Sequence, residues 1–394
     1  MSNKVRVAGV GMVPFCKPSQ SPPWDEMAEQ AIRAALHDAG VDYPQVQQAY
    51  AGYVYGDSTA GQSAIYRVGC TGVPIVNVNN NCATGSTALF LARQLIECGG
   101  ADCVLAVGFE QMAAGALAAV FQDRKAPMEK HFAATRAAQG LERDIPMAAQ
   151  LLGGGGREYQ ERYGVKNATF AEISVKSRRH AANNPLAVFR DPVTVEQVLA
   201  SPHLYGPLTR LQACPPTCGA AAAILVSDAF ARRHGLDAPV VIQAQSMTTD
   251  YGSSFEGASM MRVIGYEMMQ EAAREVYEVA GVGPQDVQVV ELHDCFTSNE
   301  LISYEALGLC PEGGAEQLVA DGDNTYGGRY VTNPSGGLLS KGHPLGATGL
   351  AQCYELTHQL RGTADARQAP GVRHALQHNI GLGGACVVTL YGRI

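Results

Sequence analysis

An internal repeat constrains the fold of this chain more than any other feature. The tripeptide ATG stands at 83–85 and again at 347–349, and in both places it opens an amphipathic helical pattern. Each helix leads into an apolar strand pattern, CVLAVG in the first half and ALQHNIG in the second. Because the elements match in order and in position, the sequence predicts a duplicated α/β fold whose two helix N-termini meet at a central interface.

The strand and helix patterns of the two halves are separated by a segment of different character. From about 110 to 208 the chain is charged and alanine-rich, carries the run GGGG and is punctuated by prolines. This pattern predicts a mostly helical insertion that covers one mouth of the sheet. In the halves themselves we predict strands at 5–13, 49–55, 73–79, 103–107, 219–226, 240–244 and 287–292, and helices at 28–39, 83–97, 268–280 and 352–362. The predicted domains are an N-terminal half (1–120 and 209–236), the insertion (121–208) and a C-terminal half (237–394).

Composition and charge exclude several classes of function. The chain is 46% hydrophobic and 17% charged, which is typical of a soluble enzyme, and its apolar runs are too short to span a bilayer. A net charge of −8 without a long basic run argues against a nucleic-acid partner. The 11 cysteines are scattered and form no CxxC pair, so we expect neither a metal site nor a disulfide framework. A reduced cytoplasm is the expected compartment.

Cys82 stands where a predicted strand turns into a predicted helix, in the string NNNCATG at 79–85. A helix N-terminus offers unpaired amides and partial positive charge, which favour a thiolate over a thiol. Cys82 is therefore a candidate nucleophile. The alternative is that it is a small buried residue, as most cysteines in the chain must be.

Three further strings carry residues suited to chemistry. HDCF (293–296) follows an apolar strand, GHPLGATG (342–349) precedes the repeated helix, and NIGLGG (379–384) is a glycine-rich turn whose amides could hold an oxyanion. Each string also has a structural interpretation, as a strand end, a helix start or a tightly packed turn. Taken together with Cys82, they supply the groups needed for acyl transfer with a proton shuttle.

The long motifs NNNCATGSTALF, ELHDCF, DNTYGG, NPSGGLLSKGHPLGATGLAQ and ALQHNIGLGG resemble the thiolase domain of sterol carrier protein X, within the thiolase superfamily. The resemblance runs nearly from end to end. It implies the thiolase fold, in which duplicated βαβαβαββ halves form a five-layer αβαβα sandwich with a helical loop domain. Because the chain stops at Ile394, the lipid-carrying domain of animal relatives is not expected to follow.

The resemblance also implies roles for individual residues. Cys82 would take the acyl group, and His343 of GHP would activate it. Ordinary thiolases carry a second catalytic cysteine in a CxG motif, where this chain has Asn379. The sterol-carrier type instead uses the cysteine of HDCF, here Cys295, as acid and base, whereas Cys386 is expected in the core.

Two oxyanion holes are implied in the same way. His293 and His343 would bind the enolate oxygen, and the amides of Cys82 and Gly381 would bind the oxygen of the acyl-enzyme. The phosphates of coenzyme A need cations, and the insertion offers basic candidates, although a solvated basic face explains each of them more readily. The candidates are Arg178 and Arg190, together with Lys176 and Arg179.

The expected reaction is thiolysis of a 3-oxoacyl-CoA with a medium-chain, branched or sterol side-chain acyl group, giving acyl-CoA and acetyl-CoA or propanoyl-CoA. Coenzyme A would be a co-substrate, with no permanently bound cofactor. We expect a homodimer formed through the strand at 73–79, and the resemblance leaves room for a small accessory acyl-CoA-binding subunit. Two alternatives stay open: a retro-aldolase, although such relatives tend to lose the nucleophilic cysteine, and a non-catalytic lipid-binding subunit.

Overall fold

The computed structural model describes residues 4–115, 117, 121 and 123–394. Its N-terminal part alternates strands and helices as predicted. These elements are β1 (Val5–Met12), α1 (Trp24–Ala39), β2 (Gln48–Gly52), α2 (Ala60–Tyr66), β3 (Ile75–Val78), α3 (Thr84–Glu97) and β4 (Cys103–Glu110).

The segment predicted as an insertion is mostly helical, and it leads back into a long strand and a short helix. Its elements are α4 (Glu129–Gln139), α5 (Met147–Tyr163), α6 (Asn167–Ala181), α7 (Val195–Leu199) and the short strands β5 (His203–Tyr205) and β6 (Leu208–Thr209). The returning elements are β7 (Gly219–Ser227) and α8 (Asp228–His234).

The C-terminal part repeats the pattern of the N-terminal part. Its elements are β8 (Val240–Thr248), α9 (Met260–Val263), α10 (Tyr266–Ala280), β9 (Val289–Glu291), α11 (Thr297–Ala306), α12 (Ala315–Ala320), β10 (Val331–Thr332), α13 (Gly337–Ser340), α14 (Thr348–Arg361), β11 (His374–Gly381) and β12 (Ala385–Arg393). The sequence did not lead us to predict α2, α11 or α12. Helix α1 starts four residues earlier than predicted, directly after Pro23 at its N-cap.

The sheet topology confirms the duplication. The strands run in the order β3-β2-β4-β7-β1 in the first half and β10-β9-β11-β12-β8 in the second. In both halves the first three strands are parallel, and the two that follow are antiparallel to their neighbours. The halves join where β1 pairs with β8, with Val5 opposite Ile242.

The hydrophobic core consists of three clusters, and their positions show that helices and half-sheets are stacked in five layers. Helix α1 packs Met27 and Ile32 on the outer face of the first half-sheet. Helices α3 and α14 lie between the two half-sheets, where Leu89 and Leu350 share one cluster. Helices α10 and α11 cover the outer face of the second half-sheet. This is the predicted αβαβα order, whereas the exact domain boundaries stay a prediction.

The run of four glycines lies inside α5, and the helix continues through it without a break. All four are buried, and a Cβ atom on Gly153 would stand 2.6 Å from the carbonyl oxygen of Tyr205. On Gly155 it would stand 2.6 Å from a methyl carbon of Ile264. The glycines therefore let α5 approach its neighbours more closely than side chains would allow, at a cost in helix propensity of roughly 1 kcal/mol each. No helix within the described ranges has both the length and the apolar character that crossing a membrane requires.

Candidate active site

Cys82 sits on a tight turn between β3 and α3. Asn81, just before it, has a positive φ of 51°, a conformation that asparagine tolerates better than most residues. The amide of Asn81 donates to Asn79 Oδ1 (3.0 Å), and that of Asn80 donates to Thr84 Oγ1 (2.9 Å). The three asparagines thus hold the elbow that presents the Cys82 thiol.

The HDCF loop lies between β9 and α11, and its side chains alternate in direction. His293 and Cys295 line the same cavity as Cys82. Asp294 points away and accepts a 2.6 Å hydrogen bond from the amide of Leu338, near the start of α13. Burial raises the pKa of Asp294 to about 8. Asp294 therefore anchors the loop, while its two neighbours face the cavity.

The GHP loop places His343 opposite the thiol. The amide of His343 donates to Thr217 Oγ1 (2.6 Å), and its Nδ1 is 2.7 Å from Thr348 Oγ1. The Thr348 hydroxyl in turn donates to the carbonyl of Pro344 (2.9 Å), so it must accept from Nδ1–H. The lone pair of Nε2 is left free, and this buried atom has no hydrogen-bond partner within the described part of the chain. Nε2 can therefore act as a base.

The three residues meet at one point. Cys82 Sγ and one imidazole nitrogen each of His293 and His343 lie within 4.8 Å of one another. The two rings are edge to face, with centroids 5.1 Å apart. Donors at this spacing could also hold a metal ion, which the sequence did not lead us to expect.

Burial dominates the electrostatics of Cys82, His293 and His343. It raises the pKa of Cys82 to about 12, against the lowering effect of the amides of Leu382 and of Cys82 itself. The prediction that the helix N-terminus gives this thiol a low pKa is therefore wrong. Burial also lowers the pKa of His343 to about 3 and holds that of His293 well below its usual value, with the other histidines adding to the effect. Thiol and imidazoles are neutral before substrate binds.

A cavity of about 190 Å³ opens onto these groups. Apart from the catalytic candidates, its walls are largely apolar and come from the segment after β4, the insertion, the 213–216 loop, Phe296 of HDCF and the NIGLGG turn. They include Met112, Met147, Leu152, Leu204, Pro215, Phe296, Ile380 and Leu382.

Cys214 is a third thiol in this cavity that the sequence analysis did not nominate. Its amide donates to the carbonyl of Cys295 (2.8 Å), and Ala213 forms a bridge with Phe296, so Cys214 lies opposite Cys295. The two prolines that follow Cys214 were the available clue, because they mark a fixed turn.

The NIGLGG turn contributes in two ways. Asn379 donates from Nδ2 to His293 Nδ1 (2.8 Å). A Cβ on Gly381 would stand 2.1 Å from the carbonyl oxygen of Asn80, so this glycine allows the turn to press against the Cys82 elbow. The amide that reaches the Cys82 sulfur is that of Leu382, while the oxyanion role of the Gly381 amide stays a prediction.

One of the cations nominated for coenzyme A is misplaced for that role. Lys176 is buried, pairs with Glu300 and donates to Thr332 Oγ1 (2.7 Å), so it cannot reach a phosphate and the prediction is wrong for this residue. The Arg178 guanidinium lies 4.6 Å from the ring centroid of Phe189. Arg179 and Arg190 are exposed, and none of the four contributes to the described lining of the cavity.

Glu110 at the end of β4 is a further residue that the sequence analysis missed. Its carboxylate accepts from the amides of Val54 (3.0 Å), Tyr55 (2.9 Å) and Gly346 (3.0 Å). It therefore links the N-terminal half to the loop that carries His343. Burial raises its pKa to about 7.

Known proteins share this fold and its sequence pattern. Residues 5–229 match the family model "Thiolase, N-terminal domain", and residues 252–391 match "Thiolase C-terminal domain-like". Sterol carrier protein 2 of Homo sapiens is 55% identical over 392 residues, which cover 98% of this chain and 72% of that protein.

Two solved structures show the same fold. The Ltp2-ChsH2(DUF35) aldolase superposes with a TM-score of 0.83 at 24% identity, covering 99% of this chain and 98% of that one. Human mitochondrial 3-ketoacyl-CoA thiolase superposes with a TM-score of 0.74 at 19% identity, covering 99% of both chains.

Proposed function

The chain belongs to the thiolase family and is an acyltransferase that performs thiolytic cleavage, and we propose that Cys82 is the nucleophile on which the acyl group is carried. One observation supports the proposal above all others. The Cys82 thiol, the free Nε2 of His343 and the imidazole of His293 converge at an apolar cavity that also exposes Cys295.

In the first half of the reaction, His343 Nε2 takes the proton of Cys82 as the sulfur attacks the 3-oxo carbon. The bond between the α and β carbons breaks, and its electron pair forms the enolate of the departing thioester. His293 and the newly protonated His343 donate hydrogen bonds to the enolate oxygen. Cys295 then gives its proton to the carbanion, which releases acetyl-CoA or propanoyl-CoA and leaves the shortened acyl group on Cys82.

In the second half, the Cys295 thiolate removes the proton of the incoming coenzyme A thiol, which attacks the acyl-cysteine. The Cys82 thiolate leaves and regains the proton held by His343. All four groups return to their starting states. The carbonyl oxygen of the acyl-enzyme would be held by backbone amides, for which we nominate those of Cys82 and Gly381.

The apolar walls suit a hydrocarbon acyl group, and we propose medium-chain, branched or sterol side-chain substrates. A retro-aldolase would need neither free coenzyme A nor an acyl-cysteine. The presence of both Cys82 and Cys295 in the cavity favours thiolysis over this alternative. A non-catalytic lipid-binding role would leave the converging thiols and imidazoles unexplained.

The test is an assay of cleavage of a panel of 3-oxoacyl-CoA thioesters, with and without free coenzyme A, on the wild type and on Cys82→Ala. We expect cleavage that requires coenzyme A, and an acyl adduct on Cys82 when the second half-reaction is starved. Wild-type cleavage of 3-oxoacyl-CoA by Cys82→Ala would refute Cys82 as the nucleophile. Cleavage of a 3-hydroxyacyl-CoA to an aldehyde or ketone without coenzyme A would favour the retro-aldolase, because a retro-aldol reaction starts from a β-hydroxyl group.

For coenzyme A itself, Arg178 and Arg190 remain our proposed phosphate contacts. The guanidinium of Arg178 lies 4.6 Å and the Nζ of Lys17 lies 5.3 Å from the ring centroid of Phe189. The two cations beside one ring concentrate positive charge at the surface. Arg190→Ala should raise the KM for coenzyme A with kcat retained, whereas the exposed Arg274→Ala on α10 should change neither. Equal KM values for both variants would remove Arg190 from the proposal.

We also propose a homodimer formed through β3. This strand pairs with β2 on one side, lies at the end of the described strand order, and exposes 41% of Val76. An unpaired apolar edge next to the Cys82 elbow suits pairing with a second copy. Val76→Pro should yield a monomer in light scattering, while Val279→Lys, on the exposed face of α10, should not. The accessory subunit and the cytoplasmic location stay predictions.

A further inference from the structure

A series of buried hydrogen bonds, called the relay below, runs from Tyr391 on β12 to His293. Tyr391 donates from its hydroxyl to Gln377 Oε1, and Gln377 Nε2 donates to Ser86 Oγ (2.8 Å). The Ser86 hydroxyl donates to Asn379 Oδ1 (2.8 Å). Asn379 Nδ2 then donates to His293 Nδ1 (2.8 Å). All five side chains are buried.

The direction of this relay is fixed at one end by the backbone. Gln377 Nε2 also lies 2.7 Å from the carbonyl oxygen of Gly349, which can only accept, so the amide nitrogen must face it. Ser86 Oγ accepts from that nitrogen, and Asn379 Oδ1, 2.8 Å away, accepts the proton of the Ser86 hydroxyl. Asn379 consequently turns its oxygen to Ser86 and its nitrogen to the imidazole.

An amide nitrogen can only donate, so His293 Nδ1 must accept and its proton must sit on Nε2. His343 has the opposite arrangement, because its Nδ1–H donates to Thr348 and its Nε2 is bare. Two neighbouring imidazoles are thus held in opposite tautomers. One presents an N–H group and the other a lone pair.

We propose that Asn379 is a positioning residue that selects the Nε2–H tautomer of His293 and thereby makes it a hydrogen-bond donor to the substrate. Its consequence for rate rests on the proposed function, but the tautomer itself does not.

The choice of tautomer also affects metal binding. A nitrogen that carries a proton cannot ligate a metal, so the relay withholds one of the three donors that Cys82, His293 and His343 would otherwise offer.

The first test is the tautomer in the wild-type protein. With ¹⁵N-histidine labelling, NMR spectra that correlate ring nitrogens with ring protons distinguish Nε2–H from Nδ1–H, and loss of a signal in His293→Gln assigns it. We expect Nε2–H for His293 and Nδ1–H for His343. An Nδ1–H signal from His293 would overturn the proposal, whatever the enzyme's activity.

The second test reverses the relay. In Asn379→Asp a carboxylate of the same shape can only accept, so it should draw the proton to His293 Nδ1 and bare Nε2. We expect a loss of about 10²–10³ in kcat, the usual effect of removing an oxyanion donor. Asn183→Asp makes the same change at an exposed position and should retain the wild-type rate.

Metal affinity is a measurement that would not change if Asn379 had only a structural role. In Asn379→Asp the carboxylate, His293 and the metal would form the arrangement that strengthens histidine ligands. Added Co²⁺ should then give the absorption bands of a tetrahedral thiolate site, which the wild type lacks and which Cys82→Ser in the same background removes.

Wild-type kcat for Asn379→Asp, or equally strong Cys82-dependent Co²⁺ binding by the wild type, would refute the tautomer argument. If Asn379→Asp does not fold, the wild-type NMR spectrum still decides. If the wild type itself fails to cleave any 3-oxoacyl-CoA, the proposed function falls while the tautomer result stands.

Discussion

Replacing Cys295 by alanine tests which thiol moves protons. Cys295 lies in the cavity beside Cys82 and opposite Cys214, while Cys386 is fully buried in β12, paired in register with Ile380. With Asn379 at the place of the second cysteine of ordinary thiolases, Cys295 is our candidate acid and base. Cys295→Ala should therefore lose thiolysis but keep the ability to form the acyl-enzyme.

The magnitudes separate catalysis from packing. A positioned acid or base contributes about 10²–10⁴ in rate. Removing one buried sulfur costs on the order of 1 kcal/mol of unfolding free energy, which does not unfold a domain of ordinary stability. Cys295→Ala should thus stay folded with a rate reduced by that factor, and Cys386→Ala should lose only stability.

Cys214→Ala is the matched control, because it removes a thiol from the same cavity wall. Steady-state thiolysis, urea unfolding and mass spectrometry of the acyl-enzyme on all three variants decide the assignment. Normal turnover by Cys295→Ala, with a folded but inactive Cys386→Ala or Cys214→Ala, would show that the proton-transfer role belongs to another thiol.

Three further predictions concern stability. Gly153→Ala on α5 should be less stable to urea than Gly154→Ala by more than about 1 kcal/mol, because the first Cβ meets a backbone carbonyl and the second only the end of a glutamine side chain. Equal stabilities would contradict this. Lys176→Ala should cost about 3–5 kcal/mol by leaving Glu300 buried without its partner, with an unchanged KM for coenzyme A. Below pH 6.5 three buried imidazoles should lower the stability, since their pKa is lowered to about 3 and only the unfolded chain gains their protons in that window. The carboxyls of Asp294 and Glu110, whose pKa burial raises to about 8 and about 7, act in the opposite sense. Each imidazole changes the free energy of unfolding by about 1.4 kcal/mol per pH unit in that window. In urea titrations at several pH values, His378→Gln should reduce the pH dependence by the contribution of one imidazole. The three are His180, His343 and His378.

The sequence could predict the elements that depend on local patterns. The strands and helices around 83–97 and 347–361 follow hydrophobic periodicity, and the repeated ATG required that two helices approach closely. The structure shows why: a Cβ on Gly85 would stand 2.7 Å from the carbonyl oxygen of Gly346, and one on Gly349 would stand 2.2 Å from Ser86 Oγ. Periodicity and small residues were sufficient here because both are read from neighbours in the chain.

What the sequence could not show depends on partners far apart in the chain. Lys176 carries the same charge as a surface lysine, and only its pairing with Glu300 reveals that it is buried. Asn379 appeared as the residue that replaces a cysteine, and its donor role emerges only from contacts with Ser86 and His293. Charge and residue type alone do not distinguish these cases.

A last prediction follows from the raised pKa of the buried Cys82 thiol. Because Cys82 is buried, its thiol does not readily lose a proton to water. For the same reason, His343 does not readily take a proton from water. Transfer of the proton from Cys82 to His343 creates both charges as an attracting pair with no change in net charge, which costs less than either event alone. The reactive thiolate should therefore depend on His343 more than on pH. Between pH 7 and 8, alkylation of Cys82 by iodoacetamide should change less than about twofold, whereas that of free cysteine should rise several-fold, approaching tenfold, because its pKa is about 8.5. The exposed Cys70 serves as the labelling control within the chain. His343→Ala should slow labelling of Cys82 without affecting Cys70. A tenfold rise for Cys82, or labelling that survives the loss of His343, would show that the helix N-terminus alone activates the thiol.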